Sequence, residues 1–249
     1  MVVERRKPEQ REPAVARPRT RTQKATPVRL EPVRRLAKAP GLHQFISIAG
    51  NIGAGKSTAA TLIARKLGLT ALYEPVVNNR FLLDYYADMK RWSFTLQLEF
   101  LIRRVEHHEQ SERLGRGVIQ DRSLYEDPEV FARFLHRRGC MDDREFALYH
   151  EYFDRLHASL PRPDKILYLE VSEVPVLLSR IRQRDRPGEG GIDSSFLTSL
   201  DEHYRVLAET LLQKYGIPTL KIDVSRLDIR KKQGRDAFLE QVQSFLKET

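Results

Sequence analysis

The chain carries a single cysteine, Cys140, in 249 residues. That excludes an intramolecular disulfide and a cysteine-built metal quartet, and it points to a reducing compartment. Long apolar runs are missing as well. No stretch approaches the roughly 20 apolar residues a membrane-spanning helix needs, and no apolar signal-peptide core lies near the start. The seven histidines show no metal-ligand spacing. His107 and His108 are adjacent and cannot both face inward on one helix, and all seven histidines are expected at the surface. Basic residues, by contrast, are plentiful and unevenly placed. Residues 1–40 hold twelve basic against four acidic side chains, a net +8, which leaves +1 of the total +9 for residues 41–249. The basicity belongs to the leading segment, so the remainder offers no basic groove for a nucleic acid.

The leading 40 residues are rich in arginine and proline and poor in apolar periodicity, a composition that predicts disorder. They read as a solvated extension; an electrostatic arm for an anionic partner and an organelle transit segment are the alternatives. Four glutamates, little serine and frequent proline speak against an amphipathic transit helix. A cytoplasmic location is expected, with a mitochondrial one if the segment is a transit peptide. Residues 41–249 form the expected domain.

Within it, Gly50-Asn51-Ile52-Gly53-Ala54-Gly55-Lys56-Ser57-Thr58 fits G-x-x-x-x-G-K-[ST]. The apolar run 45–49 before it reads as a buried strand, and a helical pattern runs from Ser57 to about Leu67. Strand, glycine turn and helix are the context that turns such a match into a phosphate site. Backbone N–H groups close around phosphate oxygens, and the helix start adds free donors. Lys56 is placed to reach the β- and γ-phosphates and Ser57 to help hold Mg²⁺.

Further strands are expected at 70–73, 118–120, 165–169 and 218–222. Helices are expected at 79–86, 92–114, 127–137, 142–159, 173–184, 194–215 and 234–247. The alternation predicts an α/β fold, a parallel sheet of about five strands with helices on both faces. In such sheets ligands bind beyond the carboxyl ends of the strands. Three strand ends carry suitable chemistry: the phosphate loop, Glu74, and Asp121-Arg122.

Phosphoryl transfer to a hydroxyl needs a proton acceptor, Mg²⁺ and cations for the transition state. Glu74 is the candidate base, against a plain turn role before Pro75. Arg122 is placed to hold Glu74 or the reacting oxygen, and Asp121 to hold Mg²⁺ through water; a surface ion pair or helix cap is the plainer reading of both. Gln97, Phe100 or Leu101, and Arg104 share one face of the 92–114 helix. A Gln amide and an Arg fork there can read a nucleobase edge, although either alone suits a solvated face. Arg180, Arg184 and Arg186 precede the Gly-rich run 186–191 and suit a lid over donor phosphates; an exposed basic helix end is the alternative.

GNIGAGKST, EPV at 74–76, RWSFTLQ at 91–97, DRS at 121–123, YLEVS at 168–172 and RIRQRDR at 180–186 together resemble the deoxynucleoside kinases. The likeness runs in order from about residue 43 to about 210, and the chain resembles the bacterial and mitochondrial deoxyguanosine/deoxyadenosine kinase branch and also deoxycytidine kinase. It implies a P-loop kinase fold with an Arg-rich lid, ATP and Mg²⁺, and a homodimer. It implies Glu74 as base for the 5′-hydroxyl with Arg122 beside it, and Tyr86 and Glu189 on the 3′-hydroxyl. Gln97 would pair with the base and Phe131 stack on it, while Val76 and Trp92 line the pocket. Arg104 and Asp127 sit where members accepting purines or cytosine carry an Arg and an Asp, so a purine deoxynucleoside is expected first and deoxycytidine second. Phe100 is larger than the residue some relatives carry there. A nucleoside monophosphate kinase would need cations for the acceptor's phosphate, where this chain has the carboxylate of Glu74. A non-catalytic nucleotide-binding protein would be signalled by loss of Lys56, Glu74 or Arg122, and all three are present. A nucleic-acid-binding ATPase recruited by the leading segment lacks a basic groove.

Overall fold

The computed structural model describes residues 44–74, 79–114 and 116–248. The expectation of disorder for residues 1–40, and the pocket role of Val76, lie outside these residues.

Five strands form one sheet: β1 (Phe45–Gly50), β2 (Thr70–Leu72), β3 (Val118–Asp121), β4 (Lys165–Glu170) and β5 (Thr219–Asp223). Their order is β2-β3-β1-β4-β5, and every pairing is parallel. β1 and β3 are buried throughout, whereas the edge strands β2 and β5 are only partly covered. That gradient is why the central strands read as unbroken apolar runs in sequence. The first connection moves one way across the sheet and the later three the other way. With right-handed crossovers this puts helices on both faces.

Helices α1 (Lys56–Leu67), α2 (Leu82–Ala87) and α3 (Met89–Arg113) follow β1 and β2. After β3 come a π-helical turn (Asp127–Ala132), α4 (Arg133–Arg137) and α5 (Asp143–His157). Between β4 and β5 lie α6 (Val174–Arg184), α7 (Ser194–Arg205) and α8 (Leu207–Tyr215); α9 (Lys232–Lys247) ends the chain. Asp142 and Glu145 cap the start of α5 reciprocally.

Three expectations need correction. The helix expected over 194–215 is two, broken at Val206, where neither Gly nor Pro marks the break. The one expected over 127–137 opens with the π-helical turn, a wide turn that often accompanies functional sites. Third, of the histidines expected at the surface, His203 is buried and so, more deeply, is His108. It is fully buried, its Nδ1 lies 2.9 Å from the Pro161 carbonyl, and its ring meets Phe45 edge-on. Burial pushes its pKa down to about 4.

For His108 the reason lies in α3. Its buried side chains are Ser93, Leu96, Gln97, Glu99, Leu101, Arg104 and His108, five of the seven polar. Of Phe94, Leu98, Leu101, Ile102 and Val105, the apolar positions at helical spacing, only Leu101 is fully buried, and Ile102 is 50% exposed. α3 therefore turns a polar face to the protein interior, the reverse of an ordinary surface helix.

Candidate active site

β1 and β3 pair with Ile48 opposite Asp121, so their carboxyl ends finish side by side. The phosphate loop leaves β1, Arg122 leaves β3, and Glu74 lies two residues beyond β2. Strand pairing alone thus gathers three segments at one edge. They wall a cavity of about 670 Å³, which also takes in Gln97, Phe100 and Arg104 of α3 and Asp127 and Phe131 of the π-helical turn.

The donor end is built from backbone. Gly50 and Gly53 have φ of 151° and 84°, and Gly53 packs so closely on α6 that a Cβ would stand 2.8 Å from the Leu177 carbonyl oxygen. Only glycine fits there. Residues 52–58 line the cavity, whereas Gly50 and Asn51 lie behind its wall and their carbonyls accept from Lys56 Nζ at 2.7 and 3.0 Å. Burial, helped by Arg122, lowers Lys56 to about 8 against the opposing pull of Glu126, Asp121 and Glu74. Ser57 Oγ donates to Asp121 Oδ2 at 2.5 Å. Asp121 Oδ1 is buried with no hydrogen-bond partner among the described residues. A hydroxyl beside an unsatisfied carboxylate oxygen suits a hard divalent cation that takes its other ligands from phosphate and water. No cluster of three His, Cys, Asp or Glu suited to a metal occurs among the described residues.

At the centre sits Glu74. Its Oε1 accepts from Arg104 Nη2 at 2.8 Å and lies 2.7 Å from Arg122 Nε. Burial alone would raise its pKa; Arg122, Arg104 and Lys56 outweigh that and hold it down to about 2. Glu74 is therefore a fixed anion at neutral pH. Arg104 also brings Nε within 2.9 Å of Asp127 Oδ2. The Arg104 Nε, Arg122 Nε and Asp127 Oδ2 atoms make no aligned hydrogen bond despite these distances, so we read them as charge contacts. Burial raises Asp127 to about 7, opposed by Arg104 and Arg122. Arg122 has a left-handed backbone, φ 77°, and its guanidinium lies 4.6 Å from the Phe131 ring centre. Such a backbone strains a non-glycine residue, and strain of this kind gathers at functional sites.

Gln97 is buried on the cavity wall, and its Oε1 has no partner among the described residues. An unpaired buried acceptor facing a cavity implies a donor on whatever fills it. Tyr86 and Glu189 line the same cavity, and burial, with Glu189 nearby, raises the Tyr86 hydroxyl. Arg184 and Glu189 form a two-pronged pair at 2.9 and 2.7 Å. Arg180 donates to the carbonyls of Ala54 and Val224, at 3.4 and 2.9 Å, and Arg186 lines the wall. Trp92 is not among the lining residues described; it stacks on Phe81 at 5.6 Å.

Sequence reasoning missed Glu126 and Tyr204. Glu126 is wholly buried and joins the phosphate loop to the Arg122 segment, while Tyr204 comes from α7. Glu126 follows the DRS run by three residues, the only sequence signal available for it.

A model of the deoxynucleoside kinase family matches residues 46–247. The chain belongs to that family. The kinase is 37% identical over 180 residues to deoxyadenosine kinase of Dictyostelium discoideum, a match covering 72% of each chain. It is 32% identical over 190 residues to deoxyadenosine/deoxycytidine kinase of Bacillus subtilis, covering 75% of this chain and 85% of that one. Its fold resembles M. mycoides deoxyadenosine kinase with bound dATP, with a TM-score of 0.69 and 29% identity, covering 81% of this chain and all of that one. Membership makes this chain an enzyme that phosphorylates a deoxynucleoside with ATP as donor. None of the helices described is long and apolar enough to cross a membrane.

Proposed function

We propose that the kinase moves the γ-phosphoryl group of ATP to the 5′-hydroxyl of a purine deoxynucleoside, with deoxycytidine the next-best acceptor. The observation that carries this is Glu74, an anion held beside the phosphate-loop end of the cavity by two arginines that both sit on Oε1. Among the described residues no cation is recorded on Oε2, and we assign that oxygen to the substrate hydroxyl. At a pKa of about 2 Glu74 is too weak a base to ionise an alcohol beforehand. In a loose phosphoryl-transfer transition state it does not need to. Glu74 orients the hydroxyl and accepts its proton as the oxygen–phosphorus bond forms. Lys56 and Arg122 take up charge on the transferring group.

We assign Mg²⁺ to Ser57 and Asp121, where the unsatisfied Oδ1 fits it; bound there, Mg²⁺ would neutralise phosphate charge. The base goes between Phe131 and Phe100, with the Gln97 amide and the Arg104–Asp127 pair on its polar edge. The names of the relatives, deoxyadenosine and deoxyadenosine/deoxycytidine kinases, support that preference. Tyr86 and Glu189 take the 3′-hydroxyl, and Arg180, Arg184 and Arg186 close over the donor as a lid, with Arg184 leaving Glu189 to do so. We also propose a homodimer, in which Ile102 of α3 and Leu148 and Tyr152 of α5, 50%, 43% and 49% exposed, are covered. A single cysteine supports a cytoplasmic location, with a mitochondrial one the alternative.

The deciding assay offers the four natural deoxynucleosides with Mg-ATP. Deoxyadenosine and deoxyguanosine should turn over fastest and thymidine slowest; a preference for thymidine would overturn the assignment of Gln97, Arg104 and Asp127. Light scattering on the purified chain tests the dimer.

A further inference from the structure

Glu126 does not line the cavity, yet it is fully buried with its charge among four groups of the site's framework. Its Oε1 accepts from the Gly50 N–H at 3.1 Å and from the Tyr204 hydroxyl at 2.7 Å. Its Oε2 accepts from the Ser123 N–H at 2.7 Å. Arg122 Nη1 lies 3.6 Å from Oε1 and 3.3 Å from the Tyr204 oxygen. One carboxylate thus ties the first residue of the phosphate loop to the segment whose arginine grips Glu74. A buried charge is costly unless every contact is made, and here it is satisfied from three separate chain segments.

We infer that Glu126 and Tyr204 are positioning residues that lock the donor loop and Arg122 into one rigid unit. Two features give the lock something to hold. Gly50 has φ 151°, and a Cβ there would meet the Leu169 carbonyl at 2.7 Å, so the loop leaves β1 through a tight, unusual turn. Arg122 is strained at φ 77°. The Ser123 N–H bond to Glu126 and the Arg122 N–H bond to the Ile48 carbonyl, 3.0 Å, hold that conformation. The Tyr204 hydroxyl, donating to Glu126, offers its oxygen to Arg122 Nη1 and so aims the guanidinium Nε at Glu74. Phosphoryl transfer depends on the relative placement of donor phosphates and acceptor oxygen, and shifts of about 1 Å from remote changes can lower rates about a hundredfold. The lock sets that relative placement without touching either substrate.

This inference rests on the role proposed for Arg122 and Glu74. Its test is the set Glu126→Gln, Tyr204→Phe and the double variant, assayed well below their melting temperatures on folded protein. Glu126→Gln should lower kcat at least tenfold while the Kd for deoxynucleoside changes less than threefold, because Gln97 and Phe131 are untouched. Tyr204→Phe should lower kcat at least threefold with the same unchanged Kd. The double variant should lose less than the product of the two single losses, because the hydroxyl and the carboxylate act on the same Arg122 guanidinium. Wild-type kcat in folded Glu126→Gln, or fully multiplicative losses in the double variant, would overturn the lock. If Glu126→Gln does not fold, Tyr204→Phe decides by itself: wild-type kcat refutes the proposal. These outcomes are separable from failure of the base assignment, which shows instead as normal turnover in Glu74→Gln.

Discussion

Replacing Glu74 by Gln removes one charge and leaves the shape almost unchanged. The structure says what that charge does. Arg122, Arg104 and Lys56 together overcome burial and bring its pKa from 4.5 to about 2. A shift of that size corresponds to roughly 3 kcal/mol of folding free energy, at about 1.4 kcal/mol per unit. Because the folded-state pKa is the lower one, this stabilisation is complete above about pH 4.5 and is lost as the pH falls towards 2. At pH 7 Glu74→Gln should therefore melt some 6–12 °C below wild type, from about 2–4 °C per kcal/mol for a domain of this size. The gap should narrow as the pH falls below about 4.5 and close towards pH 2. In steady-state assays at 20 °C, where the variant remains folded, kcat should fall by about 10²–10⁴, the usual range for a general base. ATP binding should persist, because the phosphate loop is intact. A folded Glu74→Gln enzyme with kcat within threefold of wild type would refute the base assignment. A melting gap undiminished between pH 5 and pH 3 would refute the electrostatic account.

Other perturbations probe the surroundings. Asp121→Asn should raise the Mg²⁺ concentration needed for half-maximal rate by tenfold or more, measured at saturating ATP, with little change in deoxynucleoside Kd. Gly53→Ala forces a Cβ against the Leu177 carbonyl at a φ of 84°, and should cost about 1–3 kcal/mol in denaturant melts while weakening ATP binding. His108 is buried neutral with a pKa of about 4 against an ordinary 6.5. Its contribution is complete above about pH 6.5 and is lost as the pH falls towards 4, so the wild-type melting temperature should drop across that window and His108→Gln should flatten the drop.

Most of the framework was legible in the sequence because it depends on local signals. The phosphate loop, the apolar central strands and the punctuation by glycine and proline act over a few residues. Glu74 and Arg122 were legible because a strand end projects the next residues into a crevice. α3 was only half legible. Its apolar residues show the 3.6-residue period, but the face it buries is the polar one of Gln97, Arg104 and His108. No periodicity in hydrophobicity can reveal a buried face that is hydrophilic, and His108 was misplaced for that reason. Trp92 took its expected role from resemblance; among the described residues it stacks on Phe81 and is not part of the cavity lining.

The sequence by itself determined that Gly50–Thr58 is a glycine loop between a strand and a helix, that a carboxylate and an arginine follow neighbouring strands, and that the sheet is parallel. These follow from backbone stereochemistry and strand periodicity, which are read within one segment. Tertiary structure decided which charges face each other. Glu74 becomes a permanent anion because two arginines, from α3 and from the end of β3, converge on one of its oxygens. Glu126 meets Gly50 and Tyr204 across 76 and 78 residues of chain. The energy of a buried charge depends on partners brought by packing, and no local pattern records who those partners will be.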